Sequence, residues 1–439
     1  MTKVAVETVD AVRRRLAVEV PEAAVRAEIE RAYETLRRKA NVRGFRPGKA
    51  PRPVLERLFG DQVRAEVFGK LIHESYEEAL RSERIEPVGE PQVVTEQAEP
   101  NAPLRYSVTV EVKPEIVVTS YQGLEAEREL KSVSEEDIDK FLEELRESLA
   151  QLRPVMERKV AQVGDVATTD YEARIGERIV ARGEGRLVDV SAQQPATAFG
   201  SHLVGAEIGV PVDVSIDYPA DYPNQELAGQ RLAVHMVIKS LALKELPVLD
   251  DEFAKDHGEC DTLAELRARV RRQLEGAAAR EADGAVRAAL VGKLLRAHDV
   301  EVPQSMVERR TELLVDEFLS SLGQRRPPAS REPELRARLR DQLAQQARDQ
   351  VKASLLLEAI ARQERLAVSE DEVDAEIDHL AQRAGNARER IRALYQEGAA
   401  RGRLQAQLLQ ERALDRVVAQ ARVKTVVPTS SVADSGGNG

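Results

Sequence analysis

Apolar positions along this chain change period several times, and each change marks a new element. Over residues 2 to 20, Val4 and Val6, then Leu16, Val18 and Val20, alternate with polar neighbours, which predicts two short strands. Pro21 opens a helix, and from Glu22 to Lys39 the residues Val25, Ile29, Ala32, Tyr33 and Leu36 form one apolar stripe. A loop follows from Asn41 to Pro51. Val54 to Leu80 reads as a second amphipathic helix, carried by Leu55, Leu58, Val63, Val67, Leu71, Ile72 and Ala79, until Pro87, Gly89 and Pro91 break the pattern. Alternation returns at Leu104, Tyr106, Val108, Val110 and Val112. These elements predict an α+β domain over residues 1–114.

Past that point Ile138, Phe141, Leu142, Leu145, Leu149 and Leu152 predict a linker helix, assigned to residues 115–149, whose stripe runs on until Pro154 ends it. Ser134 and Asp137 have the spacing of an N-terminal capping pair, and Ser369 with Glu372 repeats it far downstream. The shared phrase predicts that both helices pack in one domain. Between them, residues 150–246 are strand-like. Val212, Val214, Ile216 and Tyr218 alternate with polar residues, as do Leu232, Val234, Met236 and Ile238. We read this as a β-rich insert that enters and leaves the chain at neighbouring points. Residues 247–428 form a helical region, the pattern staying helical to about Val423, with Leu335, Leu339, Leu343, Ala347 and Val351 stepping by four, and the polar tail 429–439 predicts disorder. The fold class is therefore multidomain α+β: an α+β domain, an inserted β-rich domain and an α-helical C-terminal region.

Composition narrows the function. At 439 residues the chain has room for about three domains, and its single cysteine, Cys260, excludes a disulfide framework. No run is apolar enough to span a bilayer, so no membrane partner is expected and the chain reads as cytoplasmic. Aromatics make up 3% and Trp is absent, which argues against a base-stacking platform. The net charge is −11, yet residues 31 to 60 hold nine basic side chains against two acidic ones. A basic patch on an acidic protein predicts docking on a phosphate-rich surface at one place only.

Catalytic motifs are sparse. The sequence has no Walker loop, HExxH, CxxC or GxSxG, and the glycine pair Gly183 and Gly185 is too weak a signal for a phosphate cradle. Histidines stand singly, without ligand spacing. Neither cofactor nor metal is expected, and no covalent chemistry.

The informative string is GFRPGKAP, Gly44 to Pro51, at the tip between the two predicted helices. Its glycines and prolines set the loop, while Phe45, Arg46 and Lys49 project an apolar anchor and two cations. This string resembles the ribosome-docking signature of the bacterial trigger factor family, and the domain order is similar over all but the tail. The resemblance implies that Gly44, Phe45, Arg46, Gly48 and Lys49 bind the large ribosomal subunit near the exit tunnel. It further implies that nascent and unfolded polypeptides are held by the helical region together with the linker helix, and that the free protein pairs with a second copy. Pro47 stands where the family often has a basic residue, leaving Arg43 and Arg52 to compensate.

The insert is similar to FKBP-type prolyl isomerase domains, most clearly along the phrase from Val204 to Ile238. That resemblance places Tyr171, Phe199 and Tyr222 at aromatic pocket positions. Ile179 and Val234 stand where the pattern has Phe, Val180 where it often has an acid, and the phrase around Pro195 and Ala196 departs from it. Ile179 and Val234 read either as core residues or as smaller pocket walls, and as walls they imply weakened isomerase activity. The leading reading is a ribosome-associated chaperone with peptidyl-prolyl isomerase ability. A periplasmic chaperone-isomerase and an isomerase with helical dimerisation arms stay open beside it.

Overall fold

The computed structural model describes residues 2–42, 45, 49–191, 199–219, 227–256, 260–323, 330–396 and 398–427. In chain order, strands β1 (Lys3–Thr8) and β2 (Arg13–Val20) precede helices α1 (Glu22–Lys39) and α2 (Arg52–Glu83), followed by strands β3 (Gln92–Gln97), β4 (Leu104–Glu111) and β5 (Glu125–Glu129). Helix α3 (Glu135–Ser148) leads into β6 (Gln151–Pro154), β7 (Asp165–Ile175), β8 (Arg178–Asp189), β9 (Pro211–Asp217) and β10 (Arg231–Glu245). Helices α4 (Asp251–Asp256), α5 (Leu263–Ala297), α6 (Gln304–Ser321), α7 (Glu332–Gln363), α8 (Glu370–Arg383), α9 (Arg388–Gln396) and α10 (Gly398–Gln420) then run to a closing strand β11 (Arg422–Val426). The architecture is multidomain α+β. Contacts divide it into two units, one of Met1–Arg128 with Asp283–Val426 and one built on Glu129–Ala282.

In the first unit an antiparallel sheet runs in the order β1, β2, β4, β3. Register sets Leu16 opposite Val108, Val18 opposite Tyr106 and Val20 opposite Leu104, so the residues predicted to alternate share one buried face. Helices α1 and α2 cover that face with Val25, Ile29, Leu55, Val67 and Leu71. Each such side chain, fully buried, contributes about 1.5–3 kcal/mol. Leu58 falls outside the buried stripe and is exposed. At the buried centre the Tyr106 and Ser75 hydroxyls lie 2.6 Å apart; one donates to the other, and the α2 carbonyls of Leu71, 2.5 Å from Ser75, and Ile72, 3.2 Å from Tyr106, are in reach of the remaining proton. These two buried hydroxyls are thereby satisfied.

Elsewhere in this unit Val118, Tyr121 and Ala126 pack on Leu290, Leu294, Leu356, Ile360 and Val417 of α5, α7 and α10. The Tyr121 hydroxyl donates to Glu364 at 2.6 Å. Helix was expected as far as about Val423; instead α10 stops at Gln420, and β11 pairs with β5. Arg422 N–H donates to the Leu124 carbonyl at 2.8 Å, and Gly123, at φ +68°, donates to Gln420 at 3.1 Å. β-Branched Val423, Thr425 and Val426 suit a ribbon once a distant strand is available.

In the second unit the sheet order is β6, β10, β7, β8, with β9 also on β10. Its core gathers Ile216, Leu232, Val234, Met236 and Ile238. Helix α3 buries Ile138 and Leu142 against Phe253, Leu266 and Val270. Two expectations are corrected. The linker helix ends at Ser148, and residues 151–154 form β6, with Gln151 opposite Glu245, leaving Leu149 and Leu152 exposed. And the two capping boxes, both present, begin helices in different units: α8 packs Val373 and Ile377 on Leu404. A cap satisfies local N–H groups; the packing partner is chosen by the stripe behind it. Tail 429–439 lies outside the described residues.

Candidate functional site: an aromatic cavity and a basic helical tip

The strand period of two brings Tyr171, Ala173 and Ile175 of β7 onto one face. With Phe199, Tyr218 and Leu232 they line a cavity of about 450 Å³, a volume suited to a small apolar ligand. The Tyr171 and Phe199 ring centroids are 5.2 Å apart at an interplanar angle of 57°, within the range of favourable tilted pairs. Across the ladder Tyr171 faces Gly183. A Cβ at Gly183 would sit 2.5 Å from Tyr171 Cε1, so this glycine is the space the ring occupies. Its role is packing.

Of the three predicted pocket aromatics, Tyr171 and Phe199 come together, and Tyr222 lies outside the described residues, as do Pro195 and Ala196. The reading of Ile179 and Val234 as pocket walls is corrected. Ala173 pairs with Ala181 while Arg174 pairs with Ile179, so β8 carries an extra residue at Val180. This bulge turns Val180 and Ala181 into the cavity and leaves Ile179 50% exposed. Val234 is buried in the sheet core. Tyr218 is the wall that sequence reasoning missed. Its signal was visible, since it continues the Val212, Val214, Ile216 alternation past the end of β9.

Among the described residues no carboxylate, thiol or histidine lines this cavity. Its described lining can desolvate and clasp an apolar group.

The basic tip stands on the α1 and α2 pair. Pro51, at φ −66°, and Pro53 preset the start of α2, and Arg37, Arg38 and Lys39 crowd the last turn of α1, where the helix dipole favours cations. Val42 and Ala50 bury the two feet of the loop, while Phe45 and Lys49 are exposed. Gly44, Arg46 and Gly48, with Arg43 and Pro47, lie outside the described residues. Arg52 does not extend the patch as expected. Its guanidinium lies 4.1 Å over the Tyr33 ring and donates to Glu30 at 2.5 Å and Glu56 at 2.7 Å. Burial opposes its charge, but the Glu56 and Glu30 hydrogen bonds prevail and hold its pKa above the ordinary value. Partners at positions 30, 33 and 56 occupy the fork that phosphate would need. Nearby, the buried carboxylate of Glu28 accepts from Lys70 and Arg31, and the Lys70 hydrogen bond is the main cause that keeps its pKa below the ordinary carboxylate value.

Comparison with known proteins identifies the family of the chain. The family profile described as "Bacterial trigger factor protein (TF)" matches residues 2–145, and that described as its C-terminus matches residues 262–419. The trigger factor of Desulforudis audaxviator (strain MP104C) is 36% identical over 432 residues, covering 96% of this chain and 98% of its own. Those of Geobacter sp. (strain M21) and Anaeromyxobacter sp. (strain Fw109-5) are 30% and 35% identical, covering 98% and 96% of this chain and 100% and 99% of theirs. With both profiles matched in order and identity sustained over nearly all of its length, the chain belongs to the bacterial trigger factor family.

Proposed function

We propose that this chain is a ribosome-associated chaperone that docks by its 44–49 tip, holds polypeptides on its helical region and isomerises prolyl bonds in the aromatic cavity. The chaperone role comes with family membership. The tip supports docking: Phe45 and Lys49 project beyond buried Val42 and Ala50, at the head of a helix pair whose last α1 turn is triply basic. Arg46, Gly44 and Gly48 complete that reading by sequence. The domains we assign are 1–114 for docking, 115–149 with 247–428 for holding clients, and 150–246 for isomerisation. No helix among the described residues is long and apolar enough to cross a membrane, and we place the protein in the cytoplasm, paired with a second copy when off the ribosome.

The observation that carries the isomerase reading is the Tyr171 and Phe199 pair in an apolar cavity. Rotation about a peptide bond faces a barrier of about 18–20 kcal/mol because the planar form is resonance-stabilised. A dry cavity disfavours the polar planar amide more than the twisted one, so it lowers the barrier without covalent chemistry. The residues whose small size implied weakened activity, Ile179 and Val234, do not line the cavity. That ground for weakened activity is therefore removed, while Val180, where the pattern often has an acid, does line the cavity. The test is a proline-limited refolding assay: Tyr171→Ala with Phe199→Ala should slow catalysis about tenfold or more, and undiminished catalysis in the folded double variant would overturn it.

A further inference from the structure

Arginines on this β-sheet are mostly committed. Arg174 donates to Glu172 at 2.6 Å, Arg231 pairs with Asp217 at 3.1 Å, and Arg158 with Asp165. Arg178 differs. It begins β8, one two-residue turn after Ile175, with Gly176 at φ +58° making that turn possible. The ladder sets Arg178 directly opposite Ile175, and both line the aromatic cavity. Arg178 is exposed, and its side chain makes no hydrogen bond or ion pair with a described residue. It is also the charged side chain of the cavity lining, which among the described residues contains no acid; Val180 stands two positions along the strand.

We propose that Arg178 is a specificity-determining residue that makes the cavity favour prolines flanked by Asp or Glu over prolines flanked by Lys or Arg. The inference rests on the isomerase reading of the cavity. A prolyl ring among Tyr171, Phe199 and Tyr218 brings its neighbouring residues to the rim, where a guanidinium fork accepts a carboxylate in bidentate fashion. Apolar walls behind the rim concentrate the field of an unpaired cation. A lysine at the same place meets repulsion, with no acid among the described lining residues to offset it. Because the rim is open to solvent, the effect is modest, about threefold between Glu and Lys, and falls with salt.

The experiment uses the full chain and two short peptide series, with Glu, Gln or Lys immediately before or immediately after a single proline. Binding is read by NMR titration and turnover by exchange between the cis and trans peptide signals, for the wild type, Arg178→Gln and Arg178→Glu. We expect a Glu, Gln, Lys order in affinity in at least one series, abolished in Arg178→Gln, inverted in Arg178→Glu and weakened at about 0.5 M salt. Absence of that order, or its survival in Arg178→Gln, overturns the inference. Charge-ordered binding without turnover would remove the isomerase reading and keep the role of Arg178. Turnover without charge order does the reverse, and peptides that neither bind nor turn over overturn both.

Discussion

Arg52 lies over Tyr33, its guanidinium carbon 4.1 Å from the ring centroid, and in that position bridges Glu30 on α1 to Glu56 on α2. A cation of the basic segment is thus a clamp at the base of the tip, tying α1 to α2. Replacing Arg52 by Ala should cost about 1 kcal/mol, chiefly the ring contact, since the ion pairs are solvent-screened. Urea melts should register that loss, and ribosome cosedimentation should weaken through a loosened tip. A variant of unchanged stability would show that the clamp carries no energy.

Phe45, Arg46 and Lys49 should behave in the opposite way. Phe45 is 39% exposed and Lys49 is exposed, so a triple Ala substitution should leave stability within about 0.5 kcal/mol. Cosedimentation with ribosomes at physiological salt should be lost. Undiminished binding by the folded variant would refute the docking assignment.

Gly183 tests the cavity from behind. A Cβ there would overlap the Tyr171 ring edge, also meeting Arg186 Cγ at 2.9 Å. Gly183→Ala should displace Tyr171, lower prolyl isomerase turnover several-fold and cost about 1–3 kcal/mol. An unshifted Tyr171 ring signal with full turnover would contradict the geometry.

Acid should loosen α8 through Glu372. Hydrogen bonds from Arg412 and from the Ser369 backbone hold this carboxyl at about 2, below its ordinary 4.5. A depressed folded pKa means that its stabilisation is fully present above pH 4.5 and is lost as pH falls towards 2. Hydrogen exchange of α8 amides should therefore speed up across that window in the wild type. Glu372→Gln should show faster exchange at neutral pH and little further change on acidification; identical profiles would remove Glu372 from the account.

Gln151 and Glu245 face each other across the β6 and β10 ladder, so the β-rich insert enters and leaves at paired residues. Opposed residues in such a ladder are about 5 Å apart, a gap that a short flexible linker closes. Excision of 150–246 should leave a helical protein that still suppresses aggregation of a denatured client, measured by light scattering. Deleting 250–428 should remove Phe253, Leu266 and Val270 from under α3 and abolish most holding. A helical but inert excision variant would move client holding to the insert.

The order of strands and helices, the faces of β2 and β4, both capping boxes and the exposed Phe45 were determined by the sequence itself. Pleat, helical turn and cap are local geometry, so Leu104, Tyr106, Val108 and Val110 announce a buried face before any partner is known. Tertiary structure alone decided what depends on partners far along the chain. It retired Arg52 from the charged surface, because Glu30, Tyr33 and Glu56 meet only when α1 and α2 pack. It divided α3 from α8, drew β11 onto β5, and swapped the cavity walls. That swap turns on one bulged residue, Val180, which reverses the inside and outside of its strand. A period of two cannot register such an insertion, because facing is set by the ladder to β7 and not by the strand alone.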